Sequence, residues 1–316
     1  MQSMNGTALS QVPAPALAGD NAVEVRNLVK NYGSVRAVRG ISFAVARGEM
    51  VAMLGPNGAG KTTTLEIVEG LRRQDAGEVQ VLGLMPARAR RRIGVQLQEG
   101  ALYDELSCAE TLRHFARLYG FEADPQGLLR LVDLEGFADR RTAKLSGGQK
   151  RRLQLALALC NDPDVIILDE PTTGLDPVSR RQSWEMIKSF HRQGRTILLT
   201  THYIEEAESL ADRVIIVDIG QIVAQGSPRD LIEQLGAAVT IELPTPEGID
   251  LSDCKGVSQA RHDSGVWRLR SHDPGLALTD LTGRFGSREL RGIKVQPATL
   301  EDVFLAKTGH SLEEVS

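Results

Sequence analysis

Two features of this chain could do chemistry: a glycine-rich loop that ends in Lys-Thr, and a pair of acids closing an apolar run. Gly55-Pro56-Asn57-Gly58-Ala59-Gly60-Lys61-Thr62, followed by Thr63, fits the pattern G-x-x-x-x-G-K-[ST]. Glycines at this spacing let the backbone curl so that several N–H groups face inward. A helix opening directly after the loop adds its free first-turn amides and the positive end of its dipole, and together they make an anion cradle. Lys61 is the point charge for terminal phosphates, and Thr62 offers its hydroxyl to Mg²⁺. Val165-Ile166-Ile167-Leu168-Asp169-Glu170 sets two carboxylates at a strand end. Ligands of open α/β sheets gather beyond such ends. Asp169 is placed to hold Mg²⁺ through water, and Glu170 is the candidate to orient or deprotonate an attacking water.

A second glycine cluster, Leu145-Ser146-Gly147-Gly148-Gln149, precedes the helical pattern KRRLQLALALC. Here Lys150, Arg151 and Arg152 fall on a first helical turn and oppose the helix dipole, at about a few tenths of a kcal/mol each. A docked anion would reverse that sign. Taken alone, the segment reads equally well as a capped helix start.

These residues need elements to position them. Residues 21–54 read as strands, with a helix from Lys61 to about Leu71 and a short strand at 77–83. Helical patterns fill about 99–160. Three apolar runs follow: DVIILDE, TILLTTH and RVIIVDIGQIVAQG, the last a hairpin turning near Gly220. Apolar runs separated by helices predict a mostly parallel core sheet covered on both faces, with antiparallel strands at the N-terminus. Ser227-Pro228-Arg229-Asp230 opens a capped helix. The pattern resets near Gly236, where short alternating strands and helices predict a small α+β domain. The expected division is a flexible leader at 1–20, a nucleotide-binding domain at 21–235 with its helical subdomain at about 99–160, and an accessory domain at 236–316.

Composition narrows the function classes. The 316 residues suit roughly two domains. The net charge is −4, a poor footprint for nucleic-acid binding, so no nucleic-acid partner is expected. Cys108, Cys160 and Cys254 are far apart, which fits a reducing compartment and argues against a disulfide scaffold or zinc site. No apolar run approaches the ~18 residues needed to span a bilayer. A cytoplasmic location is expected, with any membrane role supplied by a partner. The basic run Arg88, Arg90, Arg91 and Arg92 reads as a solvated face.

The order of these motifs, phosphate loop, Gln98 in IGVQLQ, LSGGQ, ILDEPTTGLDP, then Thr200-Thr201-His202, resembles the ATP-binding subunit of an ABC transporter over about residues 23–235. The resemblance implies the P-loop NTPase cassette fold, with ATP and Mg²⁺ as ligands. It also implies roles for single residues: Tyr32 stacks on adenine, Gln98 senses metal and γ-phosphate near the permease, Asp176 is the D-loop acid, and His202 contacts the γ-phosphate. Ser146, Gly147, Gly148 and Gln149 would meet a nucleotide held by a second cassette. The chain has LQ where many members have PQ, which leaves the backbone before Gln98 less restricted. One phosphate loop and one LSGGQ per chain then predict a head-to-tail homodimer closed by ATP. Without a spanning segment, transport requires a separately encoded integral-membrane permease, which would hold the chain on the inner face of the membrane. The tail PATLEDVFLAKTG resembles the daunorubicin-resistance type of drug-export ATPase, implying export of a drug, antibiotic or lipid-like compound. The competing readings are a soluble ABC-type ATPase uncoupled from transport and a nucleotide sensor. The complete set Asp169, Glu170 and His202 favours turnover over sensing.

Overall fold

The computed structural model describes residues 20–96, 102–236, 239–244, 250–263, 265–285, 290 and 292–311. The leader expected at 1–20 lies outside this set except for Asp20, and Gln98 also lies outside it. The chain divides after Gln225 into two compact units.

In the first unit, β1 (Asn21–Tyr32) pairs antiparallel with β2 (Val35–Ala46). The fully buried β3 (Met50–Leu54) then enters a different sheet and delivers the loop that opens α1 (Lys61–Val68). β4 (Ala76–Val81) returns to pair with β1, giving the three-stranded order β2-β1-β4. After the short α2 (Pro86–Ala89) and β5 (Ile93–Gln96), the helical subdomain holds α3 (Cys108–Tyr119), α4 (Pro125–Leu131) and α5 (Gly147–Leu157). The chain continues as β6 (Val165–Asp169), α6 (Pro177–Arg192), β7 (Thr196–Thr201), α7 (Ile204–Leu210) and the neighbouring strands β8 (Arg213–Asp218) and β9 (Gln221–Gly226).

The main sheet has the order β5-β6-β7-β3-β8-β9, and its β5–β6, β6–β7, β7–β3 and β3–β8 pairs are parallel. Its register sets Asp169 beside Thr200, and Leu54, just before the loop, beside Thr201. The two acids, the loop and the Thr-Thr-His segment therefore emerge at one edge. Leu65, Ile67 and Val68 of α1 pack with Val51, Met53, Val165, Ile167, Leu198 and Ile215 in one core. That burial fixes the axis of α1 and hence where its first turn points.

The second unit begins with α8 (Pro228–Glu233) and continues through β10 (Val239–Pro244), β11 (Val257–Asp263), β12 (Val266–Ser271), α9 (Pro274–Arg284), β13 (Lys294–Pro297) and α10 (Leu300–Thr308). Its antiparallel sheet has the order β11-β12-β10-β13. The compact units meet at Gln225, where the expected boundary was 235, and α8 packs against α10. The edge strand β11 was not expected, since its sequence VSQARHD carries almost no apolar alternation. The basic run is also less free than expected: Arg90 donates to the Gly70 carbonyl, and Arg92 pairs with Asp164 at 2.7 Å. All three cysteines are buried free thiols, and burial pushes Cys160 up to about 12 and Cys254 to about 11, as suits unreactive packing groups.

Candidate functional site

The phosphate loop is built by close backbone approach. Gly60 caps α1 in the left-handed region, at φ 97°. A Cβ at this position would stand 2.4 Å from the Ala37 carbonyl oxygen, and one at Gly55 would stand 2.2 Å from that of Val217. The loop is tied down at Ala59, whose N–H donates to Pro56 O (3.2 Å) and whose carbonyl accepts from Gly220 N–H (3.1 Å). First-turn amides of a helix have no intrahelical acceptor, so those of α1 remain available to an anion. Gly60→Ala is expected to cost about 1–3 kcal/mol from the left-handed backbone alone, with the clash added. A thermal unfolding midpoint equal to wild type would show that the loop is looser than described.

Lys61 folds into this loop. Its Nζ donates to Gly55 O (2.7 Å) and Pro56 O (2.9 Å) and lies 3.7 Å from Glu170 Oε1. Burial pulls the ammonium below its ordinary pKa, and the charges of Glu170 and Asp169 offset part of that. Thr62 is exposed, and its hydroxyl donates to Asp169 Oδ1 at 3.4 Å. Asp169 Oδ1 also accepts from Thr200 Oγ1. Burial pushes the Asp169 carboxyl up, and the Thr200 and Thr62 hydroxyls counter it only in part.

Glu170 follows with φ 47°, uncommon for a residue with a side chain. Thr200 Oγ1 accepts its N–H at 3.0 Å, so one threonine holds both acids. The Glu170 carboxylate takes the Thr173 hydroxyl (3.1 Å) and has His202 Nδ1 3.3 Å from Oε2. Burial pushes this carboxyl up, but His202, Lys61 and Thr173 outweigh it and hold Glu170 below its ordinary pKa. Glu170 is therefore an ionised acceptor at neutral pH, the state a general base requires.

The chemistry of these groups fits a nucleotide with Mg²⁺. The cradle and Lys61 suit phosphate oxygens, and Thr62 with Asp169 offers hard oxygen donors. Among the described residues no three His, Cys, Asp or Glu side chains could hold a metal together. Mg²⁺ commonly takes one or two protein oxygens and completes its shell with phosphates and water.

The remaining expected residues stand apart. Tyr32, at the end of β1, is partly exposed between Lys30 and Arg72, whose cationic groups lie 5.7 and 5.2 Å from its ring centre. Ser146 is exposed and caps α5, accepting from Gln149 N–H (3.2 Å) while Gln149 Oε1 accepts from Ser146 N–H (3.0 Å). No described hydrogen bond or ion pair joins Ser146, Gly147, Gly148 or Gln149 to the phosphate loop. Asp176 caps α6, accepting from Val178 and Ser179 N–H, each at 3.0 Å. In the positive turn after LSGGQ, Arg151 donates to the Glu170 and Pro171 carbonyls, and Arg152 to Asp133, so these two charges also meet protein acceptors.

Sequence reasoning also missed two buried acids. Glu206 of α7 accepts from Thr172 Oγ1 (2.7 Å) and Trp184 Nε1 (2.9 Å) just behind the acidic strand end. Nothing in the run EEAES marks it. Glu69, at the end of α1, is 3% exposed, and neither carboxyl oxygen meets a hydrogen-bond partner among the described residues. Burial, with Asp169 and Glu66 adding repulsion, pushes it from 4.5 to about 8. Between these values the folded chain keeps a proton that the unfolded chain has released. Glu69 therefore makes stability fall as pH rises from 4.5 to about 8. Glu69→Gln is expected to raise the unfolding midpoint by a few degrees at about pH 8.5 and hardly at about pH 4. Equal shifts at both pH values would contradict the assignment.

Comparison with known proteins places these features in context. The family model for the ABC transporter matches residues 38–173. A Nod factor export ATP-binding protein I from Burkholderia orbicola is 42% identical over 92% of this chain and 98% of its own length. Its counterpart from Mesorhizobium japonicum is 41% identical over 98% and 93%. A solved ATP-binding subunit of an ABC transporter aligns with TM-score 0.61 and 32% identity, covering 68% of this chain and 93% of that one. A dimeric ATP-binding cassette in a post-hydrolysis state, bound to ADP and Pi, aligns with TM-score 0.60 and 27% identity over 65% and 98%.

Proposed function

The chain belongs to the ABC transporter family as an ATP-binding subunit, an ATPase that works with ATP and Mg²⁺, and from that membership we propose that it powers an exporter. The observation that carries its catalytic side is the placement of Glu170, an ionised carboxylate between Lys61 and His202 at the end of β6. In this reading the Gly55–Thr63 loop and Lys61 bind the phosphates, Tyr32 stacks on the adenine, and Thr62, Asp169 and Gln98 serve the metal. Mg²⁺, when bound, neutralises phosphate charge. Glu170 accepts the proton of the attacking water, and His202 orients Glu170 and the terminal phosphate.

The exposed cap at Ser146 supports a dimer. No described hydrogen bond or ion pair ties Ser146 through Gln149 to their own phosphate loop, and this supports their meeting a nucleotide on a second copy. Two copies related by a twofold axis then enclose two equivalent sites, each with Lys61 of one chain and Ser146 of the other. The D-loop Asp176 lies at that junction. No described helix is long and apolar enough to cross a membrane, so a separate integral-membrane permease carries the cargo. The chain sits peripherally on the cytoplasmic face through that permease, and no nucleic acid is involved. ATP closes the dimer, and phosphate release reopens it.

Export rests on the tail, PATLEDVFLAKTG, and on relatives named for Nod factor export. We assign the cargo to drug-like, antibiotic or lipid-like compounds; the names of these relatives speak for export and not for a drug. The decisive experiment reconstitutes the chain with the permease encoded beside it in inside-out vesicles. ATP-dependent accumulation of such a compound is expected, and it should stop when either protein is omitted. Recovery of the chain from cells without any hydrophobic membrane protein, with full ATPase activity, would favour the uncoupled soluble ATPase.

A further inference from the structure

Arg151 lies on α5, five residues beyond Ser146, and only 8% of it is exposed. Its Nε donates to Pro171 O at 2.8 Å, its Nη2 to Glu170 O, and its Nη1 to Gln154 Oε1 at 3.3 Å. A guanidinium is a rigid fork, and here two of its arms seize consecutive backbone carbonyls. One of those carbonyls belongs to Glu170, whose φ of 47° lies in the left-handed region. A non-glycine residue in the left-handed region persists only where its surroundings over-determine it. Glu170 is determined from two sides: Thr200 of β7 takes its N–H, and Arg151 of α5 takes its C=O. Two residues on, Glu206 of α7 and its bond to Thr172 fix the segment again. Neighbouring Arg152 turns the other way, to Asp133 in the helical subdomain (2.9 Å), so the link to Glu170 is specific to Arg151.

We propose that Arg151 is a positioning residue for the Glu170 carboxylate, and that through it α5 couples the two nucleotide sites of the dimer. The coupling half rests on the dimer reading above. In that dimer the capped end of α5 meets the nucleotide bound to the partner, while Arg151 on the same helix holds the base that serves this chain's own Lys61. Any displacement of α5 as its first-turn amides engage phosphate is passed, through one guanidinium, to the carbonyl of Glu170. Each site then senses whether the other is filled. Such coupling requires that the nucleotide bind two positions of α5 with different affinity, which the Hill coefficient reads.

The test uses the full chain with Mg²⁺ and ATP, comparing Arg151→Met, Arg151→Gln and Arg151→Lys. Arg151→Met is expected to lower kcat on the order of 10–100-fold, while KM and the affinity for a fluorescent ATP analogue stay within about twofold. The Hill coefficient for ATP should fall toward about 1. Arg151→Lys should recover part of kcat, because it returns the charge and one donor to the two carbonyls. Arg151→Gln guards against simple misfolding: with a wild-type unfolding midpoint it should still lose turnover. Unchanged kcat in Arg151→Met, or Lys no better than Met, overturns the positioning role. A reduced kcat with a wild-type Hill coefficient overturns the coupling. Size-exclusion chromatography of Glu170→Gln with ATP separates the two readings. A monomer there removes the dimer and the coupling together; a dimer whose Arg151→Met counterpart turns over normally removes only this proposal.

Discussion

Glu170→Gln is expected to cut ATP hydrolysis on the order of 10²–10⁴-fold while nucleotide affinity stays near wild type. The two side chains are nearly isosteric, so the fold has little to lose. The backbone bonds that hold residue 170, from Thr200 and Arg151, do not involve its side chain. Gln can still accept the Thr173 hydroxyl that Glu170 Oε2 accepts at 3.1 Å. What disappears is the negative charge and the ability to take a proton. The structure holds that charge in the active form, since His202 and Lys61 keep the carboxyl ionised against the cost of burial. With the phosphate loop intact, binding proceeds and the step after it stalls. An ATP-loaded dimer should therefore accumulate, visible as a shift in size-exclusion chromatography that needs ATP and is absent with ADP. Turnover of the variant within about threefold of wild type would remove Glu170 from the role of base and leave Asp169 or a water chain to be considered.

The parts of this site that are legible in the sequence are those whose chemistry is local. A glycine loop ending in Lys-Thr and two acids after an apolar run each announce their own geometry. The parallel register then brings them to one edge of the sheet, as strand-end rules lead one to expect. What escaped is the set of contacts made across distance in the chain. Thr200 bonds Asp169 and Glu170 from about thirty residues away, and nothing in TILLTTH sets that threonine apart from Thr201. Arg151 is the sharper case. Read locally, it is one of three charges opposing a helix dipole. In the fold it reaches residues 170 and 171, nineteen and twenty positions on, and its cost on the dipole is offset by two carbonyls. The same limit explains β11, whose polar sequence is a strand only because β12 pairs with it along one edge. It explains α8 as well: the Ser227 cap predicts that helix correctly, yet the cap cannot say that α10 will pack on it.

Lys61→Ala should fail at an earlier step than Glu170→Gln, and the contrast distinguishes the cradle from the base. Lys61 is 4% exposed and is the positive group set within the loop itself, with the two acids close by. Its present partners, Gly55 O and Pro56 O, are backbone carbonyls that a phosphate can readily replace. Removing the ammonium leaves the loop backbone, held by Ala59 and Gly220, in place, but it leaves the ionised Glu170 facing the incoming phosphates without the Lys61 charge between them. Repulsion then replaces attraction where the terminal phosphate must sit. Affinity for ATP is expected to drop by about 10–100-fold, from the loss of a charge-assisted bond worth roughly 1.5–3 kcal/mol together with that repulsion. Hydrolysis should become undetectable above background, and the ATP-dependent dimer should not form even when Glu170→Gln is added. Titration with a fluorescent ATP analogue measures the first effect and phosphate release the second. If Lys61→Met, which restores volume without charge, bound and turned over ATP like wild type, the loop would have to be read as a structural turn, and the cradle assignment would fall with it.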